Sequence, residues 1–129
     1  MPRMLFVDDE ESILFAVRDY FVPQGYEVDA ARDADEAEGL LAQKVYAVVV
    51  IDLRLGPGNG TFGLELIRHV RESHPATAVV LFTAYATPEV EREARRQGAV
   101  FLEKPVPLAT IRTAIERLVP PPDDLTSED

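Results

Sequence analysis

Five short apolar runs punctuate this chain, and each is followed by a stretch whose apolar residues recur with helical spacing. The runs are RMLFVD (Arg3 to Asp8), YEVDAA (Tyr26 to Ala31), VYAVVVI (Val45 to Ile51), TAVVLFT (Thr77 to Thr83) and AVFLE (Ala99 to Glu103). In the third, Val48 to Ile51 are all β-branched with no polar alternation, which marks a strand buried on both faces. Strands separated by helices of about 10 to 15 residues form βαβ units around a parallel sheet. The predicted class is therefore α/β, with a (βα)5 arrangement.

The helices announce themselves separately. Ile13, Leu14, Val17 and Phe21 share one face of a first helix that stops at Pro23 and Gly25. A second runs from Ala34 to Gln43, and Leu64, Ile67 and Val70 form the stripe of a third. Thr87-Pro88 reads as an N-cap followed by proline at the first helical position of a fourth. A fifth carries Ile111, Ile115 and Leu118. The fourth, PEVEREARRQG, offers only Val90 and Ala94 as an apolar stripe, so it is either a solvated surface helix or a lightly anchored element whose position can be biased.

At 129 residues and 47% hydrophobic content, the chain is long enough to bury a core as one domain. It has no cysteine, which removes disulfides and thiolate metal sites and suits a reducing compartment. No run approaches the roughly 20 apolar residues of a membrane span, and the N-terminus lacks a signal-peptide core. A soluble, cytoplasmic protein without membrane contact is expected. The net charge is −10, of which residues 120–129 contribute four acids and no base. The remainder is still acidic, so direct nucleic-acid binding by this segment is not expected. The domain is expected to span residues 1–119, with 120–129 a proline-rich acidic tail or linker.

Polar residues collect where these strands end. Asp8 and Asp9 end the first, Asp52 the third and Thr83 the fourth, and Lys104 follows the fifth. In a parallel sheet all C-terminal strand ends share one edge, where open α/β folds bind ligands. With strand order 2-1-3-4-5 these strands are consecutive neighbours about 4.8 Å apart, and the five side chains converge. Two unit charges some 5 Å apart at an effective dielectric near 20 repel by about 3 kcal/mol, so three carboxylates require a cation. Oxygen donors with room for water suit Mg²⁺ or Mn²⁺. Lys104 is one of only two lysines against eleven arginines, which hints that a compact ammonium matters there. Taken singly, each has a plainer explanation: Asp8-Asp9 as a helix cap, Asp52 as a solvated strand end, Thr83 as a β-former, Lys104 as a surface charge. Their ordered conjunction carries the functional reading.

Four stretches, FVDDE, VVVIDLRL, LFTAY and FLEKP, resemble in order the receiver domains of two-component response regulators, over about residues 3–119. The resemblance implies a flavodoxin-like three-layer sandwich and a signalling domain, not a multiple-turnover enzyme. It makes Asp52 the phosphoacceptor, Asp9 a direct Mg²⁺ ligand, Asp8 a residue that supports the ion from behind its direct ligands or through a water, and the Arg54 backbone carbonyl a further ligand. Thr83 would bond the phosphoryl group, Lys104 would neutralise it, and Phe101 would be the switching aromatic. Lys104-Pro105 is expected to be cis. The implied donor is a phosphohistidine on a sensor histidine kinase or a histidine phosphotransfer protein. Phosphorylation would alter the face of the fourth helix, fifth strand and fifth helix, to control an output domain, a downstream protein or a homodimer.

The pattern also departs from the family. Gly56 stands where proline is common, and TFG intervenes before LELI, so the loop after Asp52 is about three residues longer. Arg54 and Tyr85, two residues beyond the acceptor and the threonine, are bulky and expected to screen the acyl phosphate from water. Phe101 lacks a hydroxyl, so its switch would act through packing. A flavin domain of the same architecture would want a phosphate-cradling first loop, whereas DDEES supplies acids. A dehalogenase-type phosphatase typically has a second aspartate where Arg54 stands. The remaining alternative is a receiver-fold interaction module not regulated by phosphorylation.

Overall fold

The computed structural model describes residues 2–52 and 62–119, and five parallel strands alternate with five helices along them. The strands are β1 (Arg3–Val7), β2 (Glu27–Ala31), β3 (Val48–Ile51), β4 (Ala78–Thr83) and β5 (Val100–Glu103). The helices are α1 (Glu11–Phe21), α2 (Ala34–Gln43), α3 (Phe62–Ser73), α4 (Pro88–Arg96) and α5 (Leu108–Leu118). The sheet order is β2-β1-β3-β4-β5, as expected for a flavodoxin-like sandwich. The third strand is shorter than its apolar run. Val45 is solvent-exposed and only Val48–Ile51 are held between β1 and β4.

Both faces of the sheet are buried, and alternation assigns each residue to one of them. Met4, Phe6, Val48, Val50, Val80 and Phe82 pack with Leu14, Val17 and Phe21 of α1 and Ile111 and Ile115 of α5. Leu5, Val7, Val49, Ile51, Val79 and Leu81 pack with Ala37 and Leu41 of α2, Leu66, Ile67 and Val70 of α3, and Ala94 of α4. These two clusters are the two inter-layer cores.

The helix ends follow their sequence signals. α1 passes into a short 3₁₀ turn, Val22–Gln24, containing Pro23, and ends on Gly25 at φ 99°, a conformation that favours a residue without Cβ. Asp33 caps α2 by accepting from Glu36 N–H, and the Thr87 hydroxyl caps α4 by accepting from Val90 N–H at 3.1 Å. α4 buries only Ala94, with Val90 partly covered, while Glu91–Arg95 and Glu93–Arg96 pair on its outer side. This thin anchoring fits both a solvated surface helix and an element whose position can be biased.

The N-terminal side of the sheet is closed by polar ties. Asp29 accepts from the Tyr46 hydroxyl at 2.6 Å and the Lys44 ammonium at 2.9 Å. Burial pushes the Asp29 carboxyl up, but these two donors outweigh it and hold it below the usual carboxylate range. The same burial and contact push the Tyr46 phenol up. Thr77 donates its hydroxyl to Tyr46 O at 2.8 Å, and Arg71 donates to Thr77 O at 3.0 Å.

Ile111 is fully buried where α5 meets the sheet. Ile111→Ala is expected to lower unfolding free energy by about 2–5 kcal/mol through lost burial and a residual cavity, read as a reduced urea midpoint at unchanged slope.

Candidate functional site

Register builds the site. β1 and β3 pair Val7 with Ile51, so the residues that follow, Asp8 and Asp52, emerge side by side. Their backbones remain held, Asp8 N–H donating to Ala31 O at 3.0 Å and Asp52 N–H to Val7 O at 2.9 Å. β4 and β5 pair Thr83 with Glu103, and Lys104 N–H donates to Thr83 O at 2.8 Å, which carries the lysine past the strand end. By alternation Asp8, Asp52 and Lys104 fall on the α1/α5 side, whereas Thr83 and Phe101 follow Leu81 on the side of α2, α3 and α4.

Asp8 is 0% exposed and Asp52 5% exposed, while Asp9 faces solvent. One oxygen from each of these three carboxylates lies within 4.8 Å of the others. The Lys104 ammonium is 2.7 Å from Asp8 Oδ2, 3.4 Å from Glu10 Oε1 and 3.7 Å from Asp52 Oδ2. Its side chain is 11% exposed, lies 5.2 Å from the Phe82 ring centroid, and precedes a cis bond to Pro105. Asp8 Oδ1 accepts the Glu10 N–H at 3.0 Å. That contact replaces the side-chain cap that Asp8 could have supplied, because the residue at the N-cap of α1 is Glu10 and its side chain caps nothing.

Burial pushes the Asp8 carboxyl above the usual range, and the bonds from Lys104 and Glu10 N–H only partly offset it. Burial works against the Lys104 charge as well, but the Asp8 bond and the fields of Asp8, Asp52 and Glu10 prevail and push that ammonium up. Lysine 104 therefore remains a cation, and it offsets part of the repulsion among the acids. Three hard oxygen donors, one of them on water-exposed Asp9, fit a divalent cation that keeps several waters.

Thr83 is fully buried, and its hydroxyl accepts from Tyr85 N–H at 3.1 Å. Tyr85 is 49% exposed at the rim. Phe101 lies opposite Leu81, two residues below the level of Thr83 on the same face, and is half-buried against the cluster that includes Val90 and Ala94. Arg54, the expected source of a backbone ligand and of screening, lies outside the described residues, as do residues 55–61 and the tail from residue 120, whereas Phe62 and Gly63 of the TFG stretch expected in the lengthened loop form the start of α3. Sequence reasoning missed Glu10 as a partner of Lys104 and Phe82 as the surface beneath it. The only signal for Glu10 was a third acid directly after Asp8-Asp9.

The chain matches the response regulator receiver domain family over residues 4–116. It is 37% identical to the alginate biosynthesis transcriptional regulatory protein AlgB of Pseudomonas aeruginosa, over 87% of this chain and 24% of that protein, so it spans about a quarter of that relative's length. A response regulator of Burkholderia pseudomallei, solved with a phosphorylated aspartic acid, a calcium ion and citrate, superposes with a TM-score of 0.82 at 26% identity, over 99% of this chain and 72% of that one. The response regulator TrrA of Thermotoga maritima, solved with Mg²⁺ and BeF, superposes at 0.80 with 25% identity, over 92% of this chain and 100% of that one.

Lys104 holds a buried carboxylate, so removing it strands Asp8. The Asp8 carboxyl is already raised in the fold; between its ordinary value near 3.8 and the raised one, the folded protein holds the proton better, and stability falls as pH rises through that window. Lys104→Met raises Asp8 further and widens the window. The variant is expected to lose about 3 kcal/mol near neutral pH, with the deficit narrowing as pH falls and Asp8 protonates, measured by urea unfolding across pH.

Proposed function

This chain belongs to the response regulator receiver domain family, and on that premise we propose that Asp52 accepts a phosphoryl group from a phosphohistidine donor and thereby switches the α4-β5-α5 face. The observation that carries the assignment is the placement of nearly buried Asp52 between two other acids and the Lys104 ammonium. An Asp52 oxygen attacks phosphorus in line; the P–N bond to the donor imidazole breaks as the O–P bond forms, and the imidazole takes a proton from solvent. In the return step water attacks phosphorus, the O–P bond breaks, and inorganic phosphate leaves with the carboxylate restored. Asp8, Asp9 and Asp52 would hold Mg²⁺ or Mn²⁺, which supplies positive charge against the acceptor and the phosphoryl oxygens. Lys104 adds a second cation, its ammonium 3.7 Å from Asp52 Oδ2.

The new group brings about one to two negative charges and fresh acceptor oxygens. In this reading the Thr83 hydroxyl leaves Tyr85 N–H and donates to a phosphoryl oxygen. Phe101, just below it, moves into the space released, and α4 follows because Ala94 is its sole fully buried anchor among the described residues. This is a shift between two packings biased by one charged group. The donors are a sensor histidine kinase or a histidine phosphotransfer protein in the cytoplasm. The altered face addresses an output domain, a downstream protein or a second copy.

Incubation with phosphoramidate and Mg²⁺ tests the assignment by intact mass. One added phosphoryl group is expected, abolished by chelation and by Asp52→Asn. Addition that survives Asp52→Asn, or none to the folded wild type, overturns it and favours a phosphorylation-independent interaction module. A second prediction concerns lifetime: with Tyr85 shielding the bond at the rim, Tyr85→Ala is expected to shorten the phosphoryl half-life several-fold, on the order of 1 kcal/mol in barrier, followed by loss of the added mass.

A further inference from the structure

Lys104 has three acidic neighbours, and the acceptor is the most distant. Asp8 Oδ2 stands at 2.7 Å, Glu10 Oε1 at 3.4 Å and Asp52 Oδ2 at 3.7 Å. Asp8 organises this arrangement twice: Oδ2 accepts from the ammonium while Oδ1 accepts Glu10 N–H at 3.0 Å. The backbone of Glu10 is thus pinned to the carboxylate that pins Lys104, and the Glu10 side chain reaches the ammonium from the solvent side. Glu10 itself is 59% exposed, so it exchanges the lysine for water at little cost. Asp52 and Asp8 are buried and have no such freedom.

We propose that Glu10 is a positioning residue that acts through Lys104, holding the ammonium back from Asp52 in the unphosphorylated protein and releasing it to the phosphoryl oxygens as they arrive. The proposal rests on the phosphoacceptor reading of Asp52. A phosphoryl group carries more negative charge than one carboxylate and offers several acceptor oxygens, so it outcompetes an exposed glutamate for the lysine. Until it forms, the Glu10 contact opposes the movement that brings positive charge to the transferring group. Glu10 therefore raises the barrier to acceptance without touching the reacting atoms. Its neighbour Glu11 provides a natural comparison: it carries the same charge one residue on, yet it pairs with Arg32 on the far side of α1 from the lysine contacts.

The test uses Glu10→Gln and Glu11→Gln in the full chain, at saturating Mg²⁺ so that metal affinity does not enter. The initial rate of phosphoryl addition from phosphoramidate is read by intact mass. Because the chain has only two lysines, Lys44 and Lys104, ¹⁵N-lysine labelling gives two ammonium signals to follow in the same samples. Glu10→Gln is expected to accelerate acceptance about two- to fivefold, the range for an exposed ion pair, and to shift the Lys104 signal but not that of Lys44. Glu11→Gln is expected to change neither rate nor Lys104 signal. Equal rates for wild type and Glu10→Gln, or equal acceleration by Glu11→Gln, overturn the positioning role and leave the phosphoacceptor reading intact. An acceleration with an unmoved Lys104 signal also overturns it, because the effect then comes from the glutamate's direct field on the donor. If wild type and both variants accept nothing, the phosphoacceptor reading itself fails and the proposal falls with it.

Discussion

The contact between Lys104 and Asp8 is what allows acids to sit at the edge of this sheet. A carboxylate that is completely buried is costly unless it is paired and hydrogen-bonded. Asp8 meets both conditions through an ammonium delivered from the far side of Asp52 and a backbone N–H delivered by the start of α1. That lysine arrives there because β5 lies at the edge of the sheet next to β4, with its backbone running on from Glu103 to bond Thr83 O. The site therefore depends on the order and register of strands contributed by widely separated parts of the chain.

Stability and reactivity are divided between the two ends of the sheet. At the N-terminal side, Asp29, Lys44, Tyr46, Thr77 and Arg71 form a connected set of satisfied polar groups tying β2, the approach to β3, and the start of β4 to α3. At the C-terminal side the carboxylates outnumber the cation beside them. The excess negative charge lies where positive charge from a metal would be most useful and where the proposed phosphoryl acceptor, Asp52, stands. A fold closed firmly at one end tolerates this unfavourable concentration at the other.

The same division extends to motion. α4 has one fully buried residue and is braced largely by charge pairs along its own exposed side. It begins at Pro88, five residues beyond Thr83, whose hydroxyl accepts from Tyr85 N–H. Thr83 and Phe101 lie on the α4 face of the sheet, while Asp8, Asp52 and Lys104 lie on the other. Under the proposed function, a phosphoryl group at the strand ends would be sensed from both faces, by the lysine on one and the threonine on the other.

The class, the five strand-helix repeats, the Thr87 and Gly25 helix boundaries, and the acids, threonine and lysine at the strand ends are all legible in the residues alone. These are local properties: periodicity, capping and turn chemistry act over a few residues, so a few residues suffice to read them. The sequence also overextended the third strand, because Val45 is apolar yet exposed, and apolarity alone does not report what covers a residue. The three-dimensional packing sets the rest: Asp8 and Asp52 are buried while Asp9 is not, Lys104 binds Asp8 more closely than Asp52, and Glu10 joins the set while Phe82 lies beneath the lysine. Those outcomes depend on inter-strand register and on competition among groups up to 96 residues apart, and such distances are set by packing of the whole sheet.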